Sequence, residues 1–261
     1  MKFDKDHWKE LGINVDSLWL IGPRAKGGKR ANVYHGNFTP QIPEQMIRRY
    51  TEPGEIVLEP FAGSGTTLYE AEILNRRYIG MDINEEILNY VERQMAGSHM
   101  EYHLHNADST DSGLFSFLVD ADLKEMGHRT VDMVMLHPPY LDIVKFTNKR
   151  DDLSSISDID RFTEMFLRVV ANCYKYLKTN KYIVLVIGDV YKDGEVIPLG
   201  FHLMNAIRQN FLCKLKGIVI KDMVGNRAKI GIENLWRYRA LRSDNFLFKH
   251  EYLFVFKKTS K

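Results

Sequence analysis

Cysteine is scarce in this 261-residue sequence, which holds only Cys173 and Cys213. Two cysteines cannot build a disulfide framework, and their scarcity favours a reducing compartment. Long hydrophobic runs are missing too, because stretches such as YIVLVIG at 182–188 are far shorter than the roughly 20 residues that cross a bilayer. The charged amino-terminal stretch lacks the apolar core of a signal peptide. We therefore expect a soluble, cytoplasmic protein with no membrane partner.

An excess of charge of one sign is also absent. The sequence has 36 Lys and Arg against 34 Asp and Glu, for a formal net charge of +2. Any nucleic-acid site must therefore arise from local clusters of basic residues rather than from the overall charge. Hydrophobic residues make up 44% and charged residues 27%. This balance predicts a sizeable core, in one large domain or a domain with an appendage.

Strand-like and helix-like segments alternate along most of the chain. The predicted strands are 55–60, 77–82, 101–107, 131–136, 181–187, 214–221 and 251–257, and the predicted helices are 41–50, 66–74, 85–95, 159–177 and 199–211. Such alternation predicts an α/β fold with a single doubly wound, mixed sheet of about seven strands. The last two strands are expected to form an antiparallel edge, and ligands to bind at the carboxyl ends of the strands.

The first predicted strand runs into a glycine-containing turn, EPFAGSGTT at 59–67. Gly63 and Gly65 can adopt positive φ and let a ligand approach the backbone, next to the free N–H groups of the following helix. Asp82 follows Gly63 by nineteen residues, a spacing that suits an acid binding ribose hydroxyls. The lysine of a phosphate-binding P-loop and the third glycine of a dinucleotide fold are both missing. A merely tight turn remains the alternative.

The buried-looking strand 131–136 ends in the tetrapeptide HPPY, residues 137–140. Two successive prolines donate no backbone hydrogen bond and fix their φ, so they hold the flanking side chains in a stiff loop. Taken alone, this pattern can simply terminate a strand.

Together, EPFAGSGTT, GMDI at 80–83 and HPPY resemble the S-adenosylmethionine-dependent amino-methyltransferases of DNA, the cytosine-N4 and adenine-N6 family. The resemblance covers about residues 37–257 and implies a Rossmann-like methyltransferase fold with S-adenosyl-L-methionine as cofactor. It implies methyl transfer to the exocyclic amine of a base flipped out of double-stranded DNA. We accordingly expect a basic amino-terminal arm, 1–36, and a catalytic domain, 37–261.

The resemblance also implies a cofactor site. The backbone of 61–65 would hold the methionine part, Glu59 its ammonium, Asp82 the ribose and Asp108 the adenine amine, although Asp108 could equally be a turn or helix cap. The implied cofactor-binding residues are Phe38, Thr39, Pro40, Glu59, Pro60, Phe61, Ala62, Gly63, Ser64, Gly65, Thr66, Asp82, Ile83 and Asp108.

In such enzymes the residue before the prolines and the first proline's carbonyl accept the two amine hydrogens. His137 and Pro138 would do so here, Pro139 would stiffen the loop, and Tyr140 would stack on the base. His137 departs from the Asp, Asn or Ser of the family. Since imidazole accepts a hydrogen bond only when neutral, activity should fall on acidification near pH 6.5. The missing carboxylate slightly favours cytosine-N4 over adenine-N6, and a strand-capping His137 is the alternative.

Two basic clusters are candidates for DNA contact. They are Arg24, Lys26, Lys29 and Arg30 in the arm, and Arg227, Lys229, Arg237, Arg239 and Arg242 in 222–250, where aromatic residues are interleaved. A solvated hairpin is the alternative for the second cluster. No insertion is large enough for a separate target-recognition region. Recognition is therefore expected to use a short motif, a homodimer, or a separate specificity or restriction partner.

Other functions stay open. An RNA-base or protein-glutamine methyltransferase would use the same two acceptors, His137 and the Pro138 carbonyl, on another amine. A catalytically silent cofactor- or DNA-binding subunit would not use them at all. No metal site is expected, since His99, His103 and His105 have no cysteine nearby and suit an ordinary strand. The resemblance favours site-specific DNA methylation in restriction-modification or epigenetic marking.

Overall fold

Ten strands and seven α-helices occur in the residues that the computed structural model describes, 8–31, 36–147, 149, 152–223 and 233–260. The strands are β1 Leu18–Trp19, β2 Ile56–Glu59, β3 Arg77–Asp82, β4 Tyr102–Asn106, β5 Val131–Leu136, β6 Leu177–Ile187, β7 Val190–Lys192, β8 Glu195–Ile197, β9 Cys213–Asp222 and β10 His250–Lys258. The helices are α1 Gln41–Tyr50, α2 Thr66–Ile73, α3 Glu85–Met95, α4 Ser112–Glu125, α5 Ile159–Tyr176, α6 Leu199–Asn210 and α7 Glu233–Arg242. None of these described helices has the length and apolarity needed to cross a membrane.

Eight strands form one mixed sheet in the order β1-β9-β10-β6-β5-β2-β3-β4, and β7 pairs with β8 separately. Strands β6, β5, β2, β3 and β4 are parallel neighbours, whereas β10 runs antiparallel to both β6 and β9. The predicted α/β fold with a mixed sheet is therefore confirmed, with eight strands rather than about seven.

The additional strand comes from the segment expected to be a basic amino-terminal arm. Leu18 and Trp19 pair in parallel with Ile220 and Lys221 of β9. Trp19 is fully buried, and the N–H of Ile21 donates to the Asp222 carboxylate at 3.1 Å. A buried tryptophan supplies enough apolar area to hold a two-residue strand in place. The described part of the arm is thus packed onto the sheet.

Alternate residues of the central strands point into two separate cores. On β5, Val134 and Leu136 pack on one side with α4, α5 and α6, whereas Met133 and Met135 pack on the other side with α1, α2 and α3. This alternation is what a strand covered on both faces requires. It explains why β5 is buried along its whole length.

Two helices were not predicted. Helix α4 begins behind Asp111, whose carboxylate accepts from the N–H groups of Gly113 and Leu114, in a segment that has little amphipathic periodicity. Helix α7 lies in 222–250, where a connection poor in helix was expected, and it too lacks a clear apolar face. By contrast, α3 begins behind Asn84 as predicted, because that side chain caps the Glu86 and Ile87 N–H groups.

Buried charges at the amino ends of the strands are paired within the protein. Asp132 at the start of β5 accepts from Lys178 at 3.0 Å and from the N–H of Ile56 at 3.2 Å. Lys181 lies 3.4 Å from the same carboxylate and 2.5 Å from Glu55. Burial alone would raise the pKa of Asp132, but the hydrogen bonds from Lys178 and Ile56 lower it below its usual value.

Candidate active site

A cavity of about 670 Å³ opens at the opposite edge of the sheet, where β2, β3, β5 and β9 end. Residues from all three sequence motifs line it: the glycine turn after β2, Asp82 and Ile83 at the end of β3, and 137–140 after β5. Parallel strands bring their carboxyl ends to one edge, so motifs some seventy residues apart in the sequence become neighbours. The volume suits a small organic ligand.

The glycine turn has the backbone that its sequence predicts. Gly63 and Gly65 have φ of 50° and 79°, and Gly65 is the residue before α2. A Cβ on Gly65 would lie 2.9 Å from the Val91 side chain, so only glycine fits there without strain. The buried hydroxyl of Ser64 has no hydrogen-bond partner among the described residues. The turn therefore offers a free polar group to a ligand in the cavity.

Asp82 is fixed at the cavity wall by two backbone donors. Its carboxylate accepts from the N–H of Gly63 at 2.8 Å and from that of Asn84 at 2.9 Å. Burial nevertheless raises the pKa of Asp82 to about 6, with the two N–H groups opposing the shift. The carboxylate is thus ionised at neutral pH and can accept hydrogen bonds from ligand hydroxyls.

Glu59 lines the same cavity and is almost completely buried. Its two oxygens accept hydrogen bonds from Thr67 Oγ1 at 2.7 Å and from the Tyr78 hydroxyl at 2.5 Å. Burial raises the pKa of Glu59 to about 8, so the carboxyl is mostly protonated at pH 7. A cation next to it would favour the ionised form.

The loop after β4 supplies Asp108, whose role the sequence left open. Thr110 donates to this carboxylate from its N–H at 2.9 Å and from its hydroxyl at 2.8 Å. Asp108 is thus a local turn cap, and it also lines the cavity. Ser109 beside it donates to the carbonyl of Pro60 at 2.8 Å, which ties this loop to the glycine turn.

A segment before α1 closes another side of the cavity. The Phe38 ring lies 4.6 Å from the His137 ring, nearly perpendicular to it, and Arg24 donates to the Phe38 carbonyl at 2.5 Å. The buried Asn37 amide nitrogen and the Thr39 hydroxyl have no hydrogen-bond partner within the described part of the chain. Together with Ser64, they leave three buried polar groups for a ligand to satisfy.

His137 is held between two aromatic rings. Besides Phe38, Tyr140 meets the imidazole edge-on, with ring centroids 5.9 Å apart. Burial lowers the pKa of His137 to about 4, while Glu251 raises it and Lys221 lowers it further. The imidazole is therefore neutral over the whole neutral range and has one acceptor nitrogen. The loss of activity expected near pH 6.5 consequently moves to a lower pH.

Tyr140 is packed closely against the end of β6. A Cβ on Gly188 would lie 3.0 Å from the Tyr140 ring, so the glycine allows this close approach. The Tyr140 hydroxyl donates to Glu251 at 3.4 Å, and its neighbours Pro138 and Pro139 also line the cavity. The ring is thus a fixed, flat wall of the pocket.

Most of the residues that the resemblance implied are found together. The predicted residues that line the cavity are Phe38, Thr39, Glu59, Pro60, Phe61, Ala62, Gly63, Ser64, Thr66, Asp82, Ile83, Asp108, His137, Pro138, Pro139 and Tyr140. Pro40 and Gly65, the residues that precede α1 and α2, do not line it.

The predicted basic clusters are placed differently from one another. Lys29 and Arg30 form ion pairs with Glu72 and Glu70, each at 2.6 Å, and Arg24 lies in the cavity wall. Of the residues in these two clusters, Lys26 and, on α7, Arg237, Arg239 and Arg242 are exposed. Arg227 and Lys229 lie outside the described residues.

Some cavity residues belong to none of the three sequence motifs. Lys221 and Glu251 lie in predicted strands, and Asn37, Ser109 and Thr110 lie outside the predicted strands and helices. A charged residue in an otherwise apolar strand, as in GIVIKD and HEYLFVF, is the signal that could have found the first two.

A family model described as DNA methylase matches residues 1–93 and 131–261 of the chain. The match includes the amino-terminal arm, which the resemblance had left out. Its gap covers β4 and α4.

Several curated proteins are similar over shorter stretches. The type II methyltransferase M.HpaI of Haemophilus parainfluenzae is 43% identical over 38% of this chain and 30% of its own length. M.BglII of Bacillus subtilis is 43% identical over 33% of this chain and 24% of its own length. M2.DpnII of Streptococcus pneumoniae is 35% identical over 36% of this chain and 35% of its own length. The chain thus spans about a third or less of the length of these relatives.

Solved structures share the fold at low identity. TehB of Haemophilus influenzae has a TM-score of 0.52 at 10% identity, covering 84% of this chain and 62% of its own. A methyltransferase homolog from Pyrococcus horikoshii has a TM-score of 0.50 at 15% identity, covering 84% and 66%. At this identity the likeness concerns the fold alone.

Proposed function

The chain belongs to the DNA methylase family, and from this premise we propose that it is a site-specific DNA methyltransferase using S-adenosyl-L-methionine. The methyl acceptor is the exocyclic amine of a base flipped out of the duplex, with cytosine-N4 slightly favoured over adenine-N6. The observation that carries the proposal is that the glycine turn and residues 137–140 line one cavity.

The residues of the cavity fit this cofactor. Asp82 would accept from the ribose hydroxyls, Asp108 would lie towards the adenine end, and Glu59 would meet the ammonium of the methionine part. The unpartnered buried groups of Asn37, Thr39 and Ser64 offer hydrogen bonds to its polar end. When bound, the cofactor supplies a methyl group activated on a sulfonium.

His137 and the Pro138 carbonyl form the bracket for the amine. Each accepts one N–H, which favours the pyramidal nitrogen whose lone pair has left the base ring, and stabilises the positive charge that develops there. Burial keeps His137 neutral, as this role requires. Pro139 donates no hydrogen bond and keeps the loop stiff.

Tyr140 provides a stacking surface for the extruded base. Base–aromatic stacking contributes about 1–3 kcal/mol and offsets part of the cost of flipping. Because Gly188 and Glu251 hold the ring, the surface is in place before the base arrives.

DNA contact is proposed for the exposed basic residues. Lys26, Arg237, Arg239 and Arg242 can approach phosphates, and Arg239 lies over the Trp236 ring. The ends of the segment that carries α7 meet beside the cavity, where the N–H of Met223 donates to the Lys249 carbonyl. Lys29 and Arg30 are left out of this proposal because glutamates already neutralise them.

The division of the chain is also a proposal. Residues 37–261 would carry the catalytic parts, and the described residues of 1–36 would complete the sheet edge and the cavity wall. A homodimer or a separate specificity or restriction protein would supply the missing recognition area. The biological role would be restriction-modification or epigenetic marking.

Methyl transfer from labelled S-adenosylmethionine tests the proposal. The purified chain is incubated with unmethylated duplex DNA, RNA or protein, with Tyr140→Ala as the control. We expect label in the exocyclic amines of DNA, strongly reduced in the variant. Label only in RNA or protein would assign another amine substrate, and cofactor binding without any transfer would indicate a silent subunit.

A further inference from the structure

A buried ion pair lies in the cavity wall beside the H-P-P-Y loop. Lys221 of β9 and Glu251 of β10 are directly opposite each other in the antiparallel ladder, and their side chains are 2.9 Å apart. Their relative exposures are only 4% and 6%, yet both line the cavity. No motif of the sequence includes either residue.

A buried ion pair of this kind is an expensive way to stabilise a sheet. Removing two charges from water costs about as much as their attraction returns, and apolar residues of similar volume often serve equally well. On β9, Lys221 follows the buried Val219, and on β10, Glu251 precedes the buried Leu253. Its place at the cavity, rather than in the core, suggests that the charges face a ligand.

The ammonium of Lys221 has hydrogen-bonding capacity left. Among the described residues its one hydrogen bond goes to Glu251 Oε1, whereas an ammonium has three donors. The second oxygen of Glu251 accepts weakly from Tyr140, at 3.4 Å. Glu251 therefore orients Lys221 and leaves two of its N–H groups for another partner.

The pair lies at the end of the cavity where the base amine would be. Both charges act on the His137 imidazole, and Tyr140 touches Glu251. The cofactor candidates Asp82 and Glu59 belong instead to β3 and β2, on the other side of β5 in the sheet.

We propose that Lys221, oriented by Glu251, reads the Watson–Crick edge of the flipped base and selects cytosine, an inference that rests on the proposed function. In cytosine the N4 amine is followed by two acceptors, N3 and O2, which can both receive N–H groups from one ammonium. In adenine the N6 amine is followed by N1 and then by a C–H group. A base whose amine is at His137 would therefore satisfy Lys221 fully only if it were cytosine.

The wild-type product tests the choice of base without any variant. Unmethylated genomic DNA is treated with the full chain and S-adenosylmethionine and then digested to nucleosides for mass spectrometry. We expect N4-methyldeoxycytidine. N6-methyldeoxyadenosine alone would overturn this inference and leave the proposed function standing. No methylated nucleoside at all would overturn both.

Substitutions test the role of the pair. Lys221→Met should lower kcat/KM for DNA about 10- to 100-fold, as expected for hydrogen bonds from a charged group, while the affinity for S-adenosylhomocysteine stays within about twofold. The matched control is Lys181→Met, which removes the ion pair with Glu55 at the other edge of the sheet and should leave methyl transfer unchanged.

The charge-reversed double variant Lys221→Glu/Glu251→Lys separates reading from structure. It restores a buried ion pair, so the unfolding temperature should recover relative to Lys221→Met, whereas methyl transfer should not. Recovery of the wild-type rate would overturn the inference, because the pair would then be purely structural. A wild-type rate in Lys221→Met would overturn it as well.

Discussion

The two edges of the sheet use the same residue types for different purposes. At the amino edge, Asp132 and Glu55 are paired with Lys178 and Lys181, and neither Asp132 nor these lysines lines the cavity. At the carboxyl edge, Asp82, Glu59, His137 and the Lys221–Glu251 pair surround about 670 Å³ of open volume. Charges at the first edge are satisfied by the protein itself. Those at the second edge keep acceptors and donors directed at a cavity, which is what distinguishes a reactive site from a structural one.

Perturbed pKa values follow the same division. Hydrogen bonds lower the pKa of Asp132 against its burial, whereas burial raises the pKa values of Glu59 and Asp82 to about 8 and about 6. Strongly shifted pKa values of this kind are concentrated at functional sites. Changes at the carboxyl edge should therefore affect methyl transfer, and changes at the amino edge should affect stability.

The largest expected effect is that of His137→Ala. Loss of one acceptor that acts in the transition state should lower kcat about 100- to 1000-fold, by analogy with loss of a preorganised donor. His137→Asn, which keeps an acceptor oxygen, should recover part of this loss. Single-turnover methyl transfer measures kcat, and calorimetry should find the affinity for S-adenosylhomocysteine unchanged. Wild-type turnover in His137→Ala would contradict the proposal that His137 accepts a hydrogen bond from the amine.

Next in size is Tyr140→Ala. Loss of base stacking should lower kcat/KM for DNA about 5- to 100-fold. Tyr140→Phe keeps the ring and should stay close to the wild type, which separates stacking from the 3.4 Å hydrogen bond to Glu251. Equal losses in both variants would assign the role to the hydroxyl instead.

At the amino edge, Asp132→Ala should act on stability alone. It leaves the buried Ile56 N–H without its acceptor and removes the partner of Lys178, which should cost about 1–3 kcal/mol in the free energy of unfolding. Asp132→Asn keeps an acceptor and should cost less. Urea unfolding measures the difference, while kcat at a temperature where all variants are folded should not change. A loss of kcat would contradict the expectation that the amino edge affects stability alone.

The pH dependence of kcat reports on the protonation of His137. Because the pKa of His137 is lowered to about 4, kcat at saturating cofactor and DNA should show no inflection from His137 between pH 8 and pH 5. The same shift stabilises the fold above the unfolded pKa of about 6.5, and this stability is lost as the pH falls towards 4. An inflection of kcat near pH 6.5 that disappears in His137→Asn would contradict the lowered pKa of the imidazole.

Near pH 5 the smallest effect on stability is expected from Glu59→Gln, and this effect should grow as the pH rises. The pKa of Glu59 is raised to about 8, so its contribution to stability is fully present below the unfolded pKa of about 4.3 and is lost as the pH rises through 8. The variant should match the wild type near pH 5 and be the more stable of the two near pH 9. Thermal unfolding at both pH values measures this, and a constant difference would contradict the raised pKa.

Much of the site was predictable because short local patterns determine it. The glycines at 63 and 65 need positive φ, and the two prolines fix a loop, so both motifs could be read from a few adjacent residues. Asp82 required only its spacing from Gly63. Their meeting in one cavity follows from the parallel order of the strands.

The rest depends on contacts between distant residues. Lys29 and Arg30 look like free basic residues until Glu72 and Glu70, about forty positions away, are found beside them. Lys221 and Glu251 become a site only through the register of β9 and β10. Helix α7 has no apolar face from which a helix could be predicted. Periodicity and local motifs carry no information on such pairings.

The proposed reaction requires one cavity to bring the sulfonium donor to an amine held by residues 137–140. A crystal structure of the chain with S-adenosylhomocysteine tests it most directly. We expect the ribose at Asp82 and the sulfur facing the His137 ring and the Pro138 carbonyl. A ligand bound elsewhere, or with its sulfur directed away from these two acceptors, would contradict the account.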